Sequence, residues 1–181
     1  WMAALNRLVS LGYAVPGSVV AVGILIPVTQ LDHRLAALWQ ALTGHNPGLV
    51  LTGGIAALIY AYLVRFLAVA LQSVGSGLAR VTPGMDEAAQ SLGAGQGASL
   101  RRVHLPILRG SLFSAALLVF VDVMKELPAT LVMRPFDFDT LATCVHTLAS
   151  DERLTEAAAP SLAIVLVGLL PITLLPRTIA G

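Results

Sequence analysis

The chain has 181 residues, of which 56% are hydrophobic and 12% charged, with a mean hydropathy of +0.82 and a formal net charge of +1. A soluble domain carries about 25% charged residues to solvate its surface, so this composition excludes an ordinary water-exposed globule and calls for lipid over much of the molecule. The near-neutral balance also argues against a nucleic-acid partner, which would need a basic patch or stripe.

Residue 1 is Trp, and neither a basic segment nor a small-residue cleavage site flanks the first apolar run. The expectation is a piece of a longer polypeptide, with spans missing upstream and no secretory signal. From Leu8 to Leu31 there is no charged residue, enough to cross a hydrocarbon core of about 30 Å at about 1.5 Å per residue. Pro16, Gly17, Gly23 and Pro27 interrupt this run, as membrane helices tolerate, and Asp32, His33 and Arg34 are expected to end it. A second span is predicted over 48–71, with Arg65 as its one charge, its stem along lipid and its head reaching the interface. A third is predicted over 110–133 and holds Asp122, Lys125 and Glu126. The fourth, 157–176, has no charge and is closed by Arg177. The predicted fold is all-α, a polytopic transmembrane helical bundle forming one domain over 1–181.

Orientation follows from arginine placement. Residues 72–109 carry Arg80, Arg101, Arg102 and Arg109 against Asp86 and Glu87. Residues 134–156 carry Arg134 and Arg153 against Asp137, Asp139, Asp151, Glu152 and Glu156. The first segment is therefore expected to face the cytoplasm, and the second, with 32–47, to face outward.

The loop over 80–109 has its own helical signals. Thr82 suits an N-cap, Pro83 the first helical position, and Asp86 with Glu87 the positive end of a helix. Met85, Ala88, Ala89 and Leu92 recur at helical spacing and make one apolar stripe. Gly93 can stop that helix in the left-handed conformation. A second short helix is predicted from Ala98 to His104, ending before Pro106. A helix, a glycine turn and a helix, with small alanines on the stripe, form an element that a partner surface can approach closely.

No nucleotide site or catalytic centre is expected. The stretch Gly93-Ala94-Gly95-Gln96-Gly97 lacks the lysine of a phosphate loop, and the sole lysine, Lys125, falls in a predicted span. His33, His45, His104 and His146 are scattered over predicted loops. Cys144, the single cysteine, forms neither an internal disulfide nor, with His146 alone, a metal cage. No cofactor and no metal ligand set is predicted.

Charges inside a membrane cost at least about 2.5 kcal/mol unless paired or hydrated. Asp122 and Lys125 lie at i, i+3, and Asp122 and Glu126 at i, i+4, so a continuous helix would put them on one face. They would then line a translocation path on the inner face of the bundle. The other reading is a self-satisfied ion pair, or snorkelling, that fixes helix packing. The acidic outer loop reads as a solvated segment, a rim for an external binding protein, or a cation-attracting vestibule.

The run Glu87-Ala88-Ala89, then Gly93, then Val103-His104-Leu105-Pro106 resembles the EAA loop of ATP-binding-cassette importer permeases, with Val103 in place of the family's isoleucine. The resemblance implies a type I importer permease with no enzyme activity of its own, in the bacterial inner membrane. It implies a coupling helix that sits in a cleft of a separate nucleotide-binding ATPase subunit, which hydrolyses the ATP. Glu87 would make polar contacts there, Ala88 and Ala89 the close contact, and Gly93 the turn. A periplasmic substrate-binding protein and a second permease half or subunit are the other implied partners. GYAVPGSVVAVGIL, VDVMKELPATLVMRPFDFDTLA and SDERLTEAAAPSLAIVLVGLLP are similar to ferric-iron importer permeases, in their C-terminal half. Permeases for thiamine, polyamine or sulfate-type substrates are close relatives. A second Glu-Ala-Ala, at Glu156, lacks the spacing. The rival classes are a proton-coupled secondary transporter using Asp122, Lys125 and Glu126 as its relay, and a membrane enzyme or structural scaffold.

Overall fold

A computed structural model describes residues 9, 10 and 12–179; the predicted start of the first span at Leu8 lies outside them. The described residues are mostly helical and form no strand. In chain order the elements are α1 (Gly17–Thr43), α2 (Ile55–Leu78), α3 (Pro83–Ser91), α4 (Gln96–Ser99), a π-turn (Leu100–His104), α5 (Leu105–Met124), α6 (Pro128–Met133), α7 (Leu141–Ser150) and α8 (Leu154–Ile179). Among them Gly17–Thr43, Ile55–Leu78 and the continuous run Gln96–Met124 are long and apolar enough to cross a membrane. In the most apolar window of Gln96–Met124 only 11% of residues are buried by the protein, which leaves its apolar surface to be covered by lipid or another chain. The chain is an all-α, polytopic membrane protein.

Two compact units divide it. The first comprises the described residues up to Ala68 together with Asp122–Val167, and the second Val69–Val121 with residues from Gly168 onward.

The core of the first unit is Ala21, Ile24, Ala57, Leu58, Ala61, Ala129 and Met133. Four of these seven are alanines, and side chains this small let helix backbones approach closely where apolar lipid gives no hydrophobic drive for association. Residues 9, 10 and 12–14 are helical and the chain kinks at Val15–Pro16. Pro16 lies at the N-cap of α1 with φ −51° and ψ 137°, since proline fixes φ but offers no amide to continue a preceding helix.

Several boundaries differ from the sequence expectation, each for a physical reason. Asp32, His33 and Arg34 do not end the first helix, which continues to Thr43 and stops at Gly44 in the left-handed conformation, φ 74°. Asp32 is 1% exposed. Its carboxylate accepts the amides of Val50, Leu51 and Thr52 at 2.8–2.9 Å and the Thr52 hydroxyl at 2.7 Å. A charged residue that reads as a helix stop is therefore the acceptor that ties the α1–α2 connection back onto α1, and α2 begins only at Ile55. The third helix neither starts near Gly110 nor reaches Met133. It runs from Gln96 and breaks at Lys125–Leu127, after which Pro128 opens α6. Pro106 does not terminate a short helix either. The turn before it widens, with the Leu105 amide bonded to the Leu100 carbonyl, and a π-turn is one way a helix accommodates a ring that would clash with the preceding turn.

In the second unit the Ser73 hydroxyl donates to the Ser111 carbonyl at 3.1 Å. A Cβ on Gly77 would collide with the Ser111 side chain and lie 3.0 Å from Leu108, so α2 and α5 touch where α2 has no side chain.

Asp32→Ala leaves three backbone amides in a part-buried setting without their acceptor. It should lower the thermal midpoint of the detergent-solubilised protein by about 5 °C or more, read by intrinsic fluorescence. Asp32→Asn keeps one acceptor oxygen and should lose less.

Candidate coupling site

The segment between α2 and α5 folds as a hairpin within the second unit. Thr82 holds the N-cap position in extended conformation, φ −87° and ψ 150°, with Pro83 at the first helical position, although the Thr82 side chain makes no capping bond. At the other end Gly93 has φ 78°. The Gly93 amide bonds the Gln90 carbonyl at 2.9 Å and the Ala94 amide reaches back to Ala89 at 3.0 Å. This pair of bonds, six-to-one and five-to-two, closes the helix end, and it needs a residue free to take positive φ.

Asp86 joins the two arms. Its Oδ1 accepts from His104 Nε2 at 2.6 Å and from Ser99 Oγ at 3.2 Å. The hydrogen bond from His104, followed by that from Ser99, holds the Asp86 carboxyl below its ordinary value of 3.8. The stabilisation this gives is present above that ordinary value and is lost as pH falls through the lowered one.

The residues singled out by the sequence motif separate by exposure. Glu87 and Ala88 are exposed, Ala89 is 8% exposed, and Leu105 is half exposed. Ala88, Ala89, Gly93 and Val103, with Met85 and Ala98, line a groove of ≈ 550 Å³. Glu87, Leu105 and Pro106 lie outside that lining. Leu92, on the expected apolar stripe, is 87% exposed.

The three intramembrane charges do not share one face. Because α5 ends at Met124, Lys125 lies in a turn and Glu126 beyond it. Asp122 pairs with Lys125 at 2.8 Å, the lysine side chain being 61% exposed. Glu126 instead turns inward to Arg65, Oε2 to Nε 3.0 Å, with side chains 7% and 16% exposed. Arg65 therefore does not snorkel to an interface. Its Nη1 also donates to the Val15 carbonyl at 2.9 Å, and a Cβ on Gly17 would collide with Glu126 Oε1. Glu126 accepts the Ala129 amide at 3.2 Å, and its carbonyl takes the Thr130 hydroxyl at 2.6 Å. That hydroxyl proton being used, the Tyr62 hydroxyl is the donor to Thr130 Oγ1 at 2.6 Å. A charge-to-backbone network thus binds the start of α1, the middle of α2 and the break before α6.

In the acidic stretch, Arg134 pairs with Asp139, and Arg153 with Glu156 at 2.8 Å from Nε to Oε1. Two of the five acids are therefore matched. His104, expected among the scattered loop histidines, ends the π-turn in a hydrogen bond to Asp86. Its signal in the sequence was an acid and an imidazole eighteen residues apart on either side of a glycine turn. Among the described residues no group of three or more His, Cys, Asp or Glu converges as a metal site would.

Among the described residues, three helical runs are long and apolar enough to cross a membrane, and a hairpin precedes and leads into the third, which defines a helical membrane protein. No protein-family model matches the chain. Over 165 residues, 91% of this chain, it is 30% identical to the "Putative 2-aminoethylphosphonate transport system permease protein PhnV" of Salmonella typhimurium. Over 173 residues, 96% of this chain, it is 29% identical to the "Fe(3+)-transport system permease protein FbpB 2" of Haemophilus influenzae. It spans 56% of the length of the first and 31% of the second. Both relatives are named as permease proteins of transport systems, and the chain is similar to them over most of its own length and over about half or less of theirs.

Removing one partner of a buried ion pair strands the other charge and costs about 3–5 kcal/mol, whereas an apolar pair of similar volume can be neutral. Arg65→Leu and Glu126→Leu should each lower the thermal midpoint sharply. The double variant should recover part of the loss, giving a positive coupling in a double-mutant cycle.

Proposed function

We propose that the chain is the membrane-spanning permease component of an ATP-binding-cassette importer of the bacterial inner membrane. It passes a solute delivered by a periplasmic substrate-binding protein, works with a second permease half or subunit, and is driven by a separate ATPase subunit that binds and hydrolyses the ATP. The observation that carries this reading is the hairpin over 83–106. An exposed Glu87-Ala88 edge sits on a helix closed by Gly93, and the second arm runs without interruption into the span-capable run Gln96–Met124. A partner that moves the hairpin therefore moves a membrane helix. In this reading the loop over 80–109 faces the cytoplasm, and Glu87, Ala88, Ala89, Gly93, Val103, Leu105 and Pro106 form or shape the docking surface. Coupling is the difference in the hairpin's contacts between inward-open and outward-open states. Asp122 and Lys125 are the intramembrane charges closest to a path role. Glu126, buried against Arg65, serves packing.

Ferric iron is the substrate reading, supported by the likeness to an Fe(3+)-transport permease. A second reading, 2-aminoethylphosphonate, is favoured by the likeness to permeases named for that compound, over more of their own length.

The full-length permease, assembled with its ATPase subunits in proteoliposomes, should hydrolyse ATP faster when its binding protein carries Fe(III). Stimulation by the phosphonate-loaded protein alone would replace iron with the second reading. Uptake that needs no ATP would overturn the importer assignment.

Glu87→Ala should reduce ATP-driven uptake by about tenfold, the loss expected from one charged docking contact, while membrane insertion, read by protease protection, stays intact.

A further inference from the structure

We propose that Asp86 and His104 are positioning residues for energy coupling. Their contact clasps the two arms of the hairpin, so that force applied to α3 is delivered to α5 instead of being absorbed in the glycine turn. The inference rests on the coupling reading above and extends it to residues that touch no partner in that reading.

The geometry is specific. Between the two arms lie residues 92–95, a turn with an exposed Gly93 at positive φ and an exposed Gly95. Glycines lose more conformational freedom on ordering than any other residue, so such a turn by itself transmits little. α4 has only four residues, and the helical run passes at once into the π-turn, a rare register found mostly as single turns inside α-helices. Beyond the turn's own closing bonds, the side-chain links across the hairpin are His104 to Asp86, at 2.6 Å, and Ser99 to Asp86, at 3.2 Å. Both end on the same oxygen. Ser99, buried, lies at the end of α4 and His104 at the end of the π-turn. One carboxylate on the first turn of α3 thus holds both ends of the π-turn, and it fixes the angle at which the groove wall of Ala88 and Ala89 faces Val103. His104 occupies the residue between Val103 and Leu105, and its ring points back to its own hairpin, leaving Glu87 free at the exposed edge.

The test uses the full-length permease with its ATPase subunits and binding protein in proteoliposomes, comparing His104→Leu, His104→Gln and Asp86→Asn. Glutamine keeps a side-chain N–H that can reach Asp86, and leucine does not. Uptake per ATP hydrolysed should fall about tenfold in His104→Leu, the effect of one hydrogen bond to a charged group, with the ATPase subunit still co-purifying. His104→Gln should recover most of it, and Asp86→Asn should fall between. Amide hydrogen exchange over 93–104, measured on the permease alone, should speed up in His104→Leu and be restored in His104→Gln. Unchanged uptake per ATP in His104→Leu overturns the clasp, as do equal losses in the leucine and glutamine variants. A wild-type complex without ATP-driven uptake overturns the coupling reading itself, and the exchange measurement on the isolated permease separates the two failures.

Discussion

A buried guanidinium–carboxylate pair, Arg65 with Glu126, is the constraint around which the first unit is organised. An isolated charge at membrane depth costs at least about 2.5 kcal/mol, so each residue needs the other, and meeting that need fixes three segments. Arg65 also reaches the Val15 carbonyl at the kink that starts α1, and Glu126 also binds the amide that starts α6. The pair exists only because α5 ends at Met124, which frees Glu126 from the helical face it would otherwise share with Asp122. Gly17 is required for the same reason, since any side chain there would enter the space of the carboxylate.

Asp32 solves a related problem by a different route. Backbone amides in the connection between two membrane helices need acceptors where water is scarce. One carboxylate supplies them for Val50, Leu51 and Thr52. The ionic groups of this chain thus hold non-helical backbone in place as much as they attract each other. The exposed pairs Arg134–Asp139 and Arg153–Glu156 are of another kind, since solvated pairs contribute about 0–1 kcal/mol.

In the second unit the same economy appears in the hairpin. A single carboxylate, Asp86, accepts from two residues of the opposite arm, and the π-turn lets that arm pass Pro106 without ending. The element the sequence marks as a separate docking knob is therefore mechanically part of a span-capable helix. In the proposed coupling role, this continuity is what would let it carry a partner's motion.

The sequence by itself determined the membrane character, the all-α class and the hairpin between α2 and α5. Composition, uncharged runs and capping signals are local quantities, readable residue by residue. Thr82, Pro83 and Gly93 were legible because a helix start and a positive-φ stop depend on the residues that form them. What only the tertiary structure decided is where each charge goes. Asp32 looked like a helix stop, Arg65 like a snorkelling side chain, and Asp122, Lys125 and Glu126 like one polar face. Asp32 finds its partners at Val50–Thr52, and Arg65 and Glu126 find each other, all distant in sequence, whereas Asp122 and Lys125 pair locally. A charge at membrane depth takes its role from the group that compensates it, and the packing of helices, not the spacing of residues, brings that group within reach.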